Sequence, residues 1–235
     1  MSTIPDFQEP EFLTSHIAQT MAFYHPRCID PEGGFYHFFK DDGEVYDKHT
    51  RHLVSSTRFI FNYAKAFQAT NKPEYLEAML HGLSYLRERH KKAVGGYTWI
   101  LEGDKNLDNT NHCYGLAFVM LAYAQALSSG IEEARDWLTQ TFELMEQHFW
   151  DENAQLYMDE ISDNWQVTSP YRGQNANMHS CEAMLAAFDA SQDPRYLERA
   201  NTLAKNICQR QANLANGQIW EHYDESWQID WQYNL

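Results

Sequence analysis

Three polar segments, each running straight into an apolar helix, recur about every sixty residues in this chain. The clearest is Tyr171-Arg172-Gly173-Gln174-Asn175-Ala176-Asn177-Met178-His179, which leads into the apolar stretch Cys181 to Phe188. The earlier copies are Lys48 to His52, continuing through Arg58 to Phe67, and Asp108 to Tyr114, continuing to Leu127. An apolar helix must bury its stripe against other elements. Polar groups held at the head of each buried helix therefore gather around a common centre and build a pocket there.

The rest of each unit also recurs. Gly33-Gly34-Phe35-Tyr36-His37 is echoed by Gly95-Gly96-Tyr97-Thr98-Trp99, and Leu156-Tyr157-Met158 is a third aromatic extended piece. Gly217 to Trp220 opens a fourth. The breaks Asn71-Lys72-Pro73 and Gln192-Asp193-Pro194 place a proline at the first position of the following helix. The spacing predicts helices over about 7–24, 49–69, 74–90, 109–127, 132–149, 175–189 and 194–211. Two helices per repeat mean stacked helical hairpins. Glycine-aromatic pieces on one side favour a closed ring with its mouth at the helix heads. The expected fold is all-α, an (α/α)6 toroid, here an incomplete ring of about seven helices in a single domain spanning 1–235.

Charge narrows the partners. A formal net charge of −15 disfavours nucleic acid and anionic membrane surfaces. No run approaches the length of a membrane span, and no signal peptide is visible at Met1 to Asp6. Cys28, Cys113, Cys181 and Cys208 form no C-x-x-C pair, so free thiols in a reducing cytoplasm are expected. The absence of H-E-x-x-H or H-x-H, and the isolation of His49 and His52, lead us to expect no metal; no nucleotide loop or other cofactor motif is present.

Asn175 and His179, four apart, share a helix face, and Arg51 and Arg58, seven apart, lie two turns along one face. Helix N-termini add free N–H groups suited to oxygen-rich ligands. Arg58, Tyr114, Asn175 and His179 thus form a candidate ring of polar groups for a polyhydroxylated small molecule, with Trp99, Trp165 and Trp220 as candidate apolar walls. Each has a plainer role open to it. His179 can be a satisfied core residue, Arg58 the partner of an internal carboxylate, Asn175 a helix cap, and the tryptophans packing. Asp41, Asp42 and Glu102 stand in loops where a glycosidase acid pair about 5–10 Å apart could sit, but no motif supports them.

The segments Arg51 to Arg58, Tyr171 to His179 and Trp220 to Asp224 resemble the N-acylglucosamine 2-epimerase superfamily, most closely its aldose–ketose isomerase branch of mannose and sulfoquinovose isomerases. The resemblance covers essentially the whole chain, and Arg172 to His179 is its most specific part. It implies an (α/α)6 barrel that isomerises a monosaccharide through a cis-enediolate without metal or nucleotide. Mannose and fructose are the preferred pair. It also implies that Arg58, Tyr114 and Asn175 contact the sugar and that His179 handles protons on its oxygens. The histidines that move the carbon-bound proton are expected in later helix heads, beyond Leu235. The chain accordingly resembles the N-terminal half or slightly more of such an enzyme. N-acylglucosamine epimerisation, sulfoquinovose isomerisation and a non-catalytic carbohydrate-binding toroid stay open, as does a homodimer.

Overall fold

The computed structural model describes residues 6–233. Helix α1 (Pro10–Tyr24) precedes three helical hairpins: α2 (Leu53–Thr70) with α3 (Pro73–Tyr85), α4 (Cys113–Ser128) with α5 (Ala134–His148), and α6 (Gln174–Ser191) with α7 (Pro194–Lys205). α2, α4 and α6 lie side by side as an inner layer, and each outer helix packs on its own inner partner. This is an arc of an (α/α)6 toroid.

The sequence dictates the layering. α4 is apolar on nearly every face, with Gly115 through Leu127 buried without a break. A helix apolar all round must be enclosed, and α4 is the inner helix with α2 on one side, α6 on the other and α5 behind. α7 is strongly amphipathic and buries only Tyr196, Ala200 and Leu203, as an outer helix should. The core between the layers holds the fully buried Tyr63, Tyr123, Tyr157 and Tyr196. Each large side chain so buried contributes about 1.5–3 kcal/mol. Their phenols stay paired: Tyr97 and Tyr123 share a hydrogen bond of 2.9 Å, and Tyr157 donates to Glu146.

The expected helices are present with shifted starts. Residues 50–52 and 111–112, assigned above to helices, are strands. Extended pairs are β1 (Phe38–Phe39), β2 (Val45–Asp47), β3 (Thr50–His52), β4 (Ile100–Glu102), β5 (Lys105–Asp108), β6 (Asn111–His112), β7 (Trp150–Asp151), β8 (Leu156–Tyr157), β9 (Glu160–Ile161), β10 (Arg172–Gly173) and β11 (His222–Tyr223). The strand at each inner-helix head pairs antiparallel with one returning from the loop after its own outer helix: β3 with β4, β6 with β9, β10 with β11. These ladders satisfy backbone groups that the polar heads would otherwise leave unpaired. They also start every inner helix at the same rim.

Arg51 therefore does not share a helix face with Arg58. It lies buried in β3, donates to Asp30 Oδ2 at 2.6 Å and to the carbonyls of Lys48 and Thr50, and covers the Tyr36 ring. Arg172 occupies the matching place in β10 and donates to the carbonyls of Ser169 and Tyr171. The outer helices α3 and α7 both end in π-helical turns, 86–90 and 206–211. Among the described residues no helix is long and apolar enough to cross a membrane.

Candidate active site at the heads of the inner helices

Counting from the equivalent strand residues Arg51, Asn111 and Arg172 puts the three inner helices in register. Three residues on come Val54, Tyr114 and Asn175. Seven on come Arg58, Phe118 and His179, and ten on come Phe61, Leu121 and Glu182. These offsets trace one stripe on a helix. Five residues on come Ser56, Leu116 and Asn177, which point the other way.

The part of this stripe from seven residues on lines a pocket of about 270 Å³, walled by Arg58, Phe118, Leu121, His179 and Glu182, with Thr57, Phe61 and Asn62 beside them; Val54, Tyr114 and Asn175, at the start of the stripe, do not line it. Arg58 lays its guanidinium over the Phe118 ring, 4.6 Å from the centroid. The His179 ring meets Phe118 at 4.8 Å and the edge of Tyr114 at 5.2 Å. His179 Nδ1 lies 2.9 Å from Glu182 Oε2. Tyr114 and Phe118 are themselves in contact at 5.0 Å. Three of the four candidate residues thus converge on Phe118. Asn175 sits one turn nearer the rim on the His179 face, and its side chain makes no hydrogen bond among the described residues.

Above Tyr114 the wall continues through Trp99, which stacks on His112 at 3.9 Å and meets His52 at 4.3 Å. Gly115 makes this possible, because a Cβ there would stand 2.8 Å from the indole. His112 Nδ1 lies 3.4 Å from Glu160, whose carboxyl is held below its ordinary range mainly by that hydrogen bond. Trp165 and Trp220 do not line the pocket. Trp165 stacks on His148 at the end of α5, and Trp220 packs on Trp231.

The outward residues brace the scaffold. Asn177 bridges both backbone groups of Tyr157, accepting from its N–H at 2.7 Å and donating to its carbonyl at 2.9 Å. Ser56 Oγ lies 3.0 Å from His90 Nε2 and 3.4 Å from His37 Nε2. The backbone N–H of His52 donates to His37 Nδ1, so His37 carries its hydrogen on Nε2. His90 Nδ1 faces the Thr98 carbonyl and must donate to it. Protons therefore point one way, from His37 to Ser56 to His90. Burial pushes His37 down to about 3 and His90 to about 4, so both rings stay neutral. At the head of α6, burial lifts the Asp159 carboxyl to about 7 against the pull of the Gly173 N–H, 2.7 Å from Oδ2.

Spacing alone missed Phe118, Glu182 and the scaffold role of Asn177. The repeat register carries the signal for the first two, since both fall at the offsets of named site residues. Asp42 caps its own turn by accepting from the Glu44 N–H, Glu102 faces Lys105 across the β4–β5 ladder, and neither they nor Asp41 line the pocket. All four cysteines are free thiols, and among the described residues no group of three side chains could hold a metal ion.

Three adjacent inner-helix heads that gather a cation, an imidazole and aromatic rings define the class of the fold, an arc of an α/α toroid with a candidate small-molecule site at its mouth. The chain belongs to the N-acylglucosamine 2-epimerase family, whose model matches residues 33–235. It is 62% identical over 231 residues, 98% of its length, to a D-mannose isomerase of Marinomonas mediterranea. A crystal structure of a D-mannose isomerase superposes on 99% of the chain with a TM-score of 0.97 and 61% identity. A cellobiose 2-epimerase from Spirochaeta thermophila shares the fold, with a TM-score of 0.80 at 20% identity over 96% of the chain. The chain spans 59% of the length of the Marinomonas relative and 60% of the crystallised D-mannose isomerase.

Proposed function

We propose that the pocket binds an open-chain monosaccharide and serves aldose–ketose isomerisation, with D-mannose and D-fructose as the pair. The observation that carries this reading is the convergence of Arg58, Tyr114 and His179 on the Phe118 ring, with Arg58, Phe118 and His179 lining one small pocket. The likeness to a D-mannose isomerase along nearly the whole chain, in sequence and in structure, supports it.

The chemistry follows from the groups. Removing the C2 proton of an aldose leaves an enediolate whose charge is shared by O1 and O2. Arg58, held over the Phe118 ring, supplies a cation for that charge. Tyr114 and Asn175 offer hydrogen bonds to the hydroxyls nearer the rim. His179 is suited to exchange protons with the substrate oxygens, since imidazole works near neutral pH. Among the described residues lining the pocket His179 is the one imidazole. This face of the site thus binds the sugar, stabilises charge and moves oxygen-bound protons.

The test is incubation of the protein with D-mannose, with D-fructose followed by NMR. Fructose formation supports the reading. Turnover of an N-acylated hexosamine or sulfoquinovose instead would assign another branch of the family. Sugar binding without exchange of the C2 proton into deuterated water would mark a binding toroid.

A further inference from the structure

His179 has three contacts: the Tyr114 ring at 5.2 Å, the Phe118 ring at 4.8 Å, and Glu182 Oε2 at 2.9 Å from Nδ1. An ionised carboxylate only accepts hydrogen bonds, so the Nδ1 facing it carries the hydrogen. In the neutral ring the lone pair then belongs to Nε2. That atom has no hydrogen-bond partner among the described residues, and it is not one of the buried polar atoms sealed away without a partner. His179 and Glu182 both line the pocket with Arg58.

We propose that Glu182 is a positioning residue that fixes His179 as the Nδ1–H tautomer and presents the Nε2 lone pair to the ligand. This rests on the aldose–ketose reading of the pocket and assigns His179 a direction within it. The ring meets a sugar hydroxyl first as a base. In the enediolate, the O2–H bond breaks with its electron pair left on O2, and the proton passes to Nε2. The imidazolium then gives it to O1, forming the O1–H bond. No other co-reactant enters this exchange. Glu182 keeps the transient imidazolium beside a negative charge, and Arg58 balances the charge on the sugar oxygens. With the opposite tautomer, Nε2 would carry a hydrogen and could only donate to the hydroxyl that must lose one.

The pair also has a plainer effect. An i,i+3 acid–base pair on a helix adds about 0.2–0.5 kcal/mol whichever tautomer results. Nitrogen-15 spectra of the histidine rings separate the two roles, with the His179 signals assigned by their loss in His179→Gln. At a pH where the ring is neutral, His179 should show a protonated Nδ1 and a lone-pair Nε2. In Glu182→Ala the populations should invert or mix, and the fold should survive because the Glu182 side chain is 55% exposed. A hydrogen on Nε2 in the native protein, or an Nδ1–H tautomer unchanged in Glu182→Ala, overturns the proposal. Adding D-mannose tests the underlying reading separately. A shift of the Nε2 signal supports the sugar pocket; no shift counts against that pocket and leaves the tautomer result standing.

Discussion

The guanidinium of Arg58 rests 4.6 Å above the Phe118 ring, and no carboxylate pairs with it among the described residues. A cation on an aromatic face without a counterion is an incomplete interaction, stabilised by the ring and open to an anionic or polyhydroxylated ligand.

Arg58→Ala should therefore separate binding from stability. Arg58 is exposed and its loss removes no buried partner. The unfolding midpoint in urea should change by no more than about 0.5 kcal/mol equivalent. D-mannose affinity by calorimetry should fall by about 10-fold or more, the usual worth of a hydrogen bond to a charged group. Arg58→Lys keeps the charge but loses the planar fork, so it should fall between.

Two asparagines two residues apart should behave in opposite ways. Asn175 lies on the His179 face of α6, one turn nearer the helix head and without a protein partner, whereas Asn177 is fully buried and ties down Tyr157. Asn175→Ala should weaken sugar binding and leave thermal unfolding nearly unchanged. Asn177→Ala strands the Tyr157 backbone groups and should cost about 1–3 kcal/mol in denaturant unfolding. Equal effects on stability would contradict the division of the helix heads into inward and outward faces.

Gly115→Ala ought to reverse an ordinary rule. In a helix interior this change usually stabilises by roughly 0.5–1 kcal/mol. Here the new Cβ would stand 2.8 Å from the Trp99 indole and 3.0 Å from Leu53 Cδ2. Overpacking of this kind costs about 1–3 kcal/mol. Trp99→Ala in the same chain should relieve part of that loss, measured as a non-additive double-mutant cycle.

Stability should fall as pH drops from about 6.5 towards 4. His37 and His90 are held at about 3 and about 4 in the fold, against 6.5 in the unfolded chain. As pH falls below 6.5 the unfolded state takes up protons that the folded state refuses, and stability is lost. Asp159 works in the opposite sense over the same window, since its folded value near 7 exceeds 3.8. Two histidines against one carboxyl leave a net loss. Urea midpoints at pH 7, 5.5 and 4.5 should decline in that order, and a flat or rising series would contradict the neutral Ser56 network.

The repeat was legible because apolar periodicity and proline breaks are local signals. Helices α2 to α7 fall within a few residues of their expected ranges for that reason. The strands at 50–52, 111–112 and 172–173 were not legible, because two or three residues carry no period and their partners lie about fifty residues away. The same holds for Arg51, which looks like a helical neighbour of Arg58 until Asp30 is seen beneath it. The heads of the repeats pointed to Arg58, Tyr114, Asn175 and His179 as candidates, and of these Arg58 and His179 line the pocket. Phe118 looked like core, and Glu182 like an exposed helix residue, until the three helices were laid in register.

A crystal structure with D-mannitol, an open-chain analogue that cannot react, would show whether the mouth between α2, α4 and α6 is the sugar site. An extended polyol is expected over Phe118, with oxygens within hydrogen-bond distance of Arg58 and of His179 Nε2. A polyol bound elsewhere, or a pocket left unoccupied at saturating D-mannitol, would contradict it.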